Sequence, residues 1–396
     1  MLFFEEKTIL ICLLAFATFC NAQTVITADD AVKQTMERNP RVQASLLEIE
    51  RSKQLQKSSI NIPNPEFMFE STTGSYQTLG FIQSFDFPTV YAKQHGISKQ
   101  LTDMSKVAQQ MTSAEIEARV RTAYLDAQYY TKLVMRLEQR DSTYGKIEQA
   151  AYRKFMAGET DVLANSYAKM QHADVTRTLL QTQVDMETAF QSLQILMQNY
   201  SAFETDEIVE LELLPQALQS DAALIQQSLF MKYANENKEL SKKQLSLERN
   251  KVLPGVVFGY LNQAESKTPF DMRLRGGLTL PLWWWQYAGN IKAAKTQVEI
   301  TNHEAMQQQQ DLTIRLRTLL NDYKKYKTSL NYFETEGATL IAKMTDNSQR
   351  LFEAGSIDYI THLRNLNDAF LQEYAHLETL YFLNKTIIQL NYITKK

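Results

Sequence analysis

A chain of 396 residues with a formal net charge of −3 and 22% charged residues carries no broad electrostatic footprint for nucleic acid. Its two cysteines, Cys12 and Cys20, both fall in the first segment, so a disulfide framework and thiol catalysis are excluded together from the rest. Beyond that segment no stretch approaches the roughly 18 apolar residues of a spanning helix, so a membrane crossing here requires a β-barrel.

Residues 1–22 read as a secretory signal peptide. Lys7 leads an apolar run from Thr8 to Phe19, and Asn21-Ala22 supplies a small-residue site before Gln23. Cleavage is expected after Ala22; Cys20 suggests a lipoprotein, but the bulky Phe19 before it fits lipid attachment poorly.

Residues 23–205 form a first structural unit. Asn39-Pro40 is expected to open its first helix, since Asn caps and Pro is preset for the first helical position. Ile62-Pro63-Asn64-Pro65 is the entry to a hairpin. Glu66-Phe67-Met68-Phe69-Glu70 alternates, Thr72-Thr73-Gly74-Ser75 supplies turn chemistry, and Leu79, Phe81, Phe85 and Phe87 share one face of a second run ending at Pro88. A β-hairpin is predicted. From Ile97 to Ala157 there is no proline and one glycine, Gly145. Continuous helix from Gly96 to Gly158 would run about 93 Å at about 1.5 Å per residue. That exceeds most globular domains, so the helices must pack side by side in a coiled-coil-like bundle or tunnel. Gly158 turns the chain into a second long helix.

Residues 206–222 connect to a second unit, 223–396, that repeats the plan. Gln227-Ser228 is a looser counterpart of Asn39-Pro40. Val256, Phe258 and Tyr260 alternate with Val257, Gly259 and Leu261, and a polar loop from Asn262 leads to Pro269. Met272, Leu274, Leu278 and Leu280 then share one face, with Arg273, Arg275 and Thr279 on the other, a pattern that suits a strand between lipid and water. Arg273 and Arg275 would face the water-filled side. Trp283, Trp284 and Trp285 follow; Trp favours the membrane–water boundary, and the competing role is a buried joint between strands and helices. The run Arg153-Lys154-Phe155-Met156-Ala157-Gly158-Glu159-Thr160-Asp161 matches Arg350-Leu351-Phe352-Glu353-Ala354-Gly355-Ser356-Ile357-Asp358, with Arg, Phe, Ala, Gly and Asp in register. A duplicated unit is the simplest source of such an ordered series. Two hairpins cannot close a barrel alone, because edge strands in lipid leave backbone groups unpaired, so several chains must share it.

These residues also resemble the TolC-like outer-membrane efflux proteins. Asn39-Pro40, Ile62 to Pro65, Phe85-Asp86-Phe87-Pro88 and Phe155 to Asp161 are similar to the first half of that family. Leu278 to Leu282, Gly289 to Ala294 and Phe352 to Asp358 are similar to the second half, and Val252 to Tyr260 leans towards the cation-efflux branch. The likeness covers essentially the whole mature chain. It implies a mainly α fold with a small β part, assembled as a homotrimer: a twelve-stranded β-barrel continued by an α-helical barrel. It further implies an outer-membrane location, docking to a periplasmic adaptor protein and an inner-membrane efflux pump, and no enzymatic activity or cofactor. The corners at Gly158 and Gly355, with Phe155, Phe352 and Asp161, would be the periplasmic tips. Asp358 matches the first of the family's gate carboxylates, with Tyr359 and Arg350 as possible partners. The second acidic position is Thr361 or His362 here, which puts a doubled carboxylate ring in doubt. An Asp just past a helix-ending Gly is also well placed as an N-cap, a role that Asp161 fits better.

Other chemistry finds little footing. The five histidines, His95, His172, His303, His362 and His376, show no paired metal-ligand spacing. The fourteen methionines are scattered as packing residues are. Gln307 to Gln310 reads as a solvated helix face. There is no phosphate loop, dinucleotide fingerprint or nucleophile elbow. The runner-up function is a soluble periplasmic coiled-coil scaffold or adaptor whose hairpins form a small sheet.

Overall fold

The computed structural model describes residues 24–70, 78–213, 221–262 and 269–395. The signal segment 1–22, the turn Thr72 to Ser75, Pro215 and most of the loop after Asn262 lie outside the described residues. In chain order the elements are β1 (Thr24–Ile26), α1 (Ala28–Arg38), α2 (Pro40–Lys57), β2 (Glu66–Glu70), β3 (Thr78–Phe85), α3 (Pro88–Met156), α4 (Val162–Met197), β4 (Phe203–Thr205), α5 (Asp221–Gln227), α6 (Leu229–Asn250), β5 (Gly255–Asn262), a 3-10 turn (Asp271–Arg273), β6 (Leu274–Thr279), α7 (Trp284–Tyr332), a π-helical segment (Phe333–Gly337), α8 (Ala338–Glu353) and α9 (Tyr359–Ile393). The series helix, hairpin, long helix, glycine corner, long helix therefore occurs twice.

Three boundaries differ from expectation. Asn39 caps α2 as predicted, its side chain accepting from Arg41 N–H at 3.0 Å with Pro40 in the first turn, but α1 already precedes it. The same break recurs where Ser228 separates α5 from α6 and caps the latter through Met231 N–H. Helix α3 starts at Pro88 and runs 69 residues, about 103 Å at about 1.5 Å per residue, carrying Gly96 inside it. Strand β6 begins only at Leu274; Met272 and Arg273 lie in the 3-10 turn, where Asp271 and Phe270 fold back before pairing begins.

The chain forms two compact units, each interleaving both halves. One comprises 39–118, 211–327 and 386–396 and contains a four-stranded antiparallel sheet of order β2-β3-β5-β6. Its helical core gathers Leu224, Ile225, Met231, Leu312, Leu316, Leu390 and Ile393, with Phe230 edge-on to Tyr392. Arg41 forks onto Glu115 at 2.7 and 2.8 Å there.

The other unit comprises 119–210 and 328–385 with the first residues up to Arg38. A parallel pair, β1 with β4, is pinned by Tyr124, whose hydroxyl lies 2.6 Å from both the Ile26 carbonyl and the Asp206 carboxylate. The buried residues of α4 are Ala164, Ala168, Val175, Thr182, Ala189, Leu193 and Met197. They recur at steps of four and seven, the spacing of a coiled-coil seam, and the small Ala168 with Val175 packs on Tyr144 and Ala151 of α3. Gly145 on α3 marks a close approach, since a Cβ there would lie 3.3 Å from the His172 ring.

Candidate functional site

The two helical corners are built alike. At each, a glycine takes the left-handed conformation, φ +74° at Gly158 and +70° at Gly355, which a side chain would disfavour. Glu159 N–H donates to the Lys154 carbonyl at 2.9 Å, and Ser356 N–H donates to that of Leu351 at 2.9 Å. These bonds satisfy carbonyls that a helix end leaves open. Asp161 Oδ1 then accepts from Ala164 N–H at 2.7 Å, and Asp358 Oδ1 accepts from Thr361 N–H at 2.7 Å. Both carboxylates therefore cap the helix that follows, at the same distance. The Thr361 bond holds the Asp358 carboxyl below its usual range, and Asp358 remains fully exposed, a fixed negative charge at ordinary pH.

The structure sorts the remaining corner residues. Thr361 is exposed, whereas Tyr359 turns inward, its hydroxyl donating to the Ile147 carbonyl of α3 at 2.8 Å and its ring 5.8 Å from that of Phe352. It packs on the cluster of Tyr144, Ala151, Ala168, Val175 and Leu363, and burial raises its hydroxyl pKa. His362, the other match to a second acidic position, is 1% exposed and stacked on Phe352. Lys154 reaches across from the first corner to within 5.6 Å of the same Phe352 ring. Phe155 is half-buried on the last turn of α3. Arg350 pairs within its own helix with Asp346 at 3.0 Å.

The sheet has two unlike faces. In register across the four strands stand Phe67, Phe81, Tyr260 and Leu274, and on the same face lie Phe69, Leu79, Phe85, Phe258 and Leu278. Within this chain most of these apolar side chains are uncovered, Phe67 at 79% exposure and Leu278 at 67%, while Phe85 and Tyr260 are half-buried and Gln83 and Asn262 stand among them. The opposite face carries Glu66, Ser84, Arg275 and Thr279 among Met68, Ile82, Val257 and Leu261, with four glycines, Gly80, Gly255, Gly259 and Gly277. There the strands crowd: a Cβ on Gly80, Gly255 or Gly259 would meet a backbone carbonyl at 2.8–2.9 Å. Arg275 sits on this face opposite Gly259, away from Leu274 and Leu278. Arg273 does not; from the 3-10 turn its guanidinium points to the Tyr260 hydroxyl, 3.4 Å away on the apolar face. Trp283, Trp284 and Trp285 are all exposed, Trp284 at 70%; at the start of α7 the Trp285 ring lies tilted against that of Trp283 and edge-on to that of Trp284. No helix among the described residues is long and apolar enough to cross a membrane. Among the described residues no group of three or more His, Cys, Asp or Glu is placed to hold a metal ion.

No protein-family model matches the sequence, and no curated protein matches it. Solved structures do. CusC, described for its folding and transmembrane channel formation, superposes with a TM-score of 0.79 at 13% identity, over 96% of this chain and 95% of that one. The outer-membrane channel OprN gives 0.79 at 12%, over 93% and 89%. The CmeC outer membrane channel of Campylobacter jejuni gives 0.73 at 12%, over 93% and 85%.

The chain has the fold of the TolC-like outer-membrane channels.

Within this TolC-like fold, several features have no signal in the sequence. Arg140 of α3 donates to Asn367 Oδ1 at 2.7 Å and lies 4.0 Å over the Phe370 ring, clasping α9. Its partners are remote in the chain, and nothing local marks an arginine as a clasp. His172 of α4 sets its ring nitrogens against Glu148 at 2.5 Å and Asp141 at 3.4 Å. The π-helical segment was equally invisible, although Gly337, which ends it, stood alone in a long glycine-free run.

Proposed function

We propose that the chain is the outer-membrane channel of a tripartite efflux system, a passive conduit from periplasm to exterior, assembled as a homotrimer. The observation that carries this reading is the sheet: one predominantly apolar, exposed face interrupted only by Gln83 and Asn262, one polar and glycine-lined face, and two open edges at β2 and β6. A lone sheet of this kind has no soluble solution, because its apolar face and its edges both need cover. Lipid covers the first and neighbouring copies pair the second, giving a closed barrel in which every backbone group is satisfied. The soluble-scaffold alternative leaves that face bare. The units 23–205 and 223–396 are then duplicated halves, each supplying one hairpin to the barrel and one helical hairpin to the tunnel.

In this reading Arg275 faces the lumen, and Trp283, Trp284 and Trp285 lie at the periplasmic-side interface, where indole is favoured. The corners at Gly158 and Gly355 face the periplasm, and the exposed Met156, Val162 and Leu163 beside the first offer an apolar footing for an adaptor protein that links to an inner-membrane pump. Asp358, repeated three times about the axis, forms a negative ring that favours cations and repels itself when closed. Metal cations are the substrate class this ring suits. Thr361 holds the carboxylate by its N–H, and Tyr359 positions the corner against α3.

The first test is the native mass of the complex extracted from outer membranes in mild detergent. Three mature chains are expected; a monomer released from the periplasm without detergent removes the channel reading. Asp358→Ala is expected to raise ion conductance of the reconstituted pore, and Asp358→Asn, which keeps the cap, separates charge from capping. Unchanged conductance and cation preference in both variants would take Asp358 out of the gate.

A further inference from the structure

Helix α9 carries two histidines about four turns apart, so both fall near the same face. Each stacks on a phenylalanine of the helix it is hairpinned against. His362 lies parallel to Phe352 of α8, centroids 4.6 Å apart and planes 4° from parallel. His376 stacks on Phe333 at 5.1 Å and 21°. The first is sealed from solvent. Its Nδ1 is 2.9 Å from Ser348 Oγ, and that oxygen also accepts from Asn365 Nδ2 at 3.2 Å.

The second stack sits on an irregularity. Phe333, itself buried, opens the π-helical segment that interrupts the α7–α8 rod, and Gly337 closes it. A Cβ on Gly337 would lie 2.9 Å from Phe333 Cδ1 and 3.3 Å from the Tyr332 ring, so the glycine leaves room for the Phe333 ring to be held where it is. π-Helical insertions are points where a helix bends or changes register most easily. The Phe333–His376 stack therefore ties α9 to a built-in hinge, and the Phe352–His362 stack ties it to the corner beyond.

We propose that the α8–α9 hairpin is an acid-sensitive element, in which protonation of His362 and His376 loosens α9 from the π-helical hinge and from α8. The charged groups that face the rings do not remove the cost. The Ser348 backbone hydrogen bond and then Glu353, both of α8, act on His362, and Glu334 of the π segment with Glu373 of α9 acts on His376; all of them favour the charged ring. Burial outweighs them, and both histidines titrate below their ordinary value of 6.5. From α3, Lys154 brings a second cation to the Phe352 ring on which a charged His362 would also lie. The packed hairpin thus holds both rings neutral. Its stabilisation by them is complete above the unfolded value and is lost as pH falls below it, because the opened state then takes up protons that the packed state refuses. Between about pH 7.5 and about pH 5.5 the opening constant rises by up to about tenfold for each histidine exposed.

The element does not depend on the channel reading, and its test does not use conductance. Hydrogen exchange of the full chain in mild detergent is compared at the two pH values, after correction for intrinsic exchange. Protection in α8 and α9 is expected to fall by about tenfold or more, while α6, which carries no histidine, serves as the internal reference. In H362Q/H376Q, which cannot titrate at these positions, the step is expected to vanish. Equal protection at both pH values, an equal loss in α6, or an undiminished step in the double variant overturns the proposal. Should the double variant not fold, the wild-type comparison of α9 with α6 decides.

Discussion

Phe258→Arg is expected to abolish stable insertion of the assembled protein into the outer membrane, whereas Ser84→Arg is tolerated. Both positions lie in the sheet interior, one strand apart, but on opposite faces: Phe258 pairs with Gln83 and Gly276, and Ser84 with Val257. Phe258 is 58% exposed within the chain, among Phe67, Phe81, Leu274 and Leu278. If lipid covers that face, an arginine there costs about 2–4 kcal/mol near the bilayer midplane, incurred once per copy. On the Ser84 face the guanidinium meets water. The measurement is the fraction of each variant that resists alkaline extraction from outer membranes. Equal retention of the two would show that the apolar face is not the lipid face, and the channel reading would lose its main support.

Gly259→Val is expected to break the sheet, and Gly276→Val to leave it intact. A Cβ on Gly259 would stand 2.9 Å from the Phe81 carbonyl oxygen and 3.2 Å from Ile82 Cγ1, whereas nothing lies within 4 Å of one on Gly276. Overpacking against backbone costs about 1–3 kcal/mol, and a valine at the open site gains strand propensity in place of a flexible glycine. Gly80 and Leu261 show why the crowded face exists. Leu261 Cδ1 would sit 2.6 Å from a Cβ on Gly80, so a large side chain on one strand occupies the space left by a glycine on the next. Thermal dissociation of the purified assembly separates the cases: a lowered midpoint or no assembly for Gly259→Val, and an unchanged one for Gly276→Val. The same midpoint for both would mean that the close approach between β3 and β5 does not govern sheet stability.

Much of the architecture was legible because it is local. Helix α3 is long because no proline interrupts it after Pro88 and few glycines do, and β3 and β5 each present an apolar face because Leu79, Phe81 and Phe85, and Val256, Phe258 and Tyr260, fall at alternate positions. The corners at Gly158 and Gly355 were visible because a left-handed residue closing a helix selects glycine, whatever packs nearby. Even the N-caps at Asp161 and Asp358 follow from a carboxylate placed just past such a corner.

What the sequence determined by itself about this protein is thus the set of elements, their doubled order and the chemistry of their ends, each written within a few residues. Tertiary structure alone decided that β3 pairs with β5, fusing two distant hairpins into one sheet, and that Tyr359 and His362 turn inward while Asp358 stays exposed. It also decided that Arg140 clasps Asn367, and that a π-helical segment lies beneath His376. Those outcomes depend on surfaces brought together from far along the chain, where volume and desolvation choose among rotamers and registers that local periodicity leaves equal.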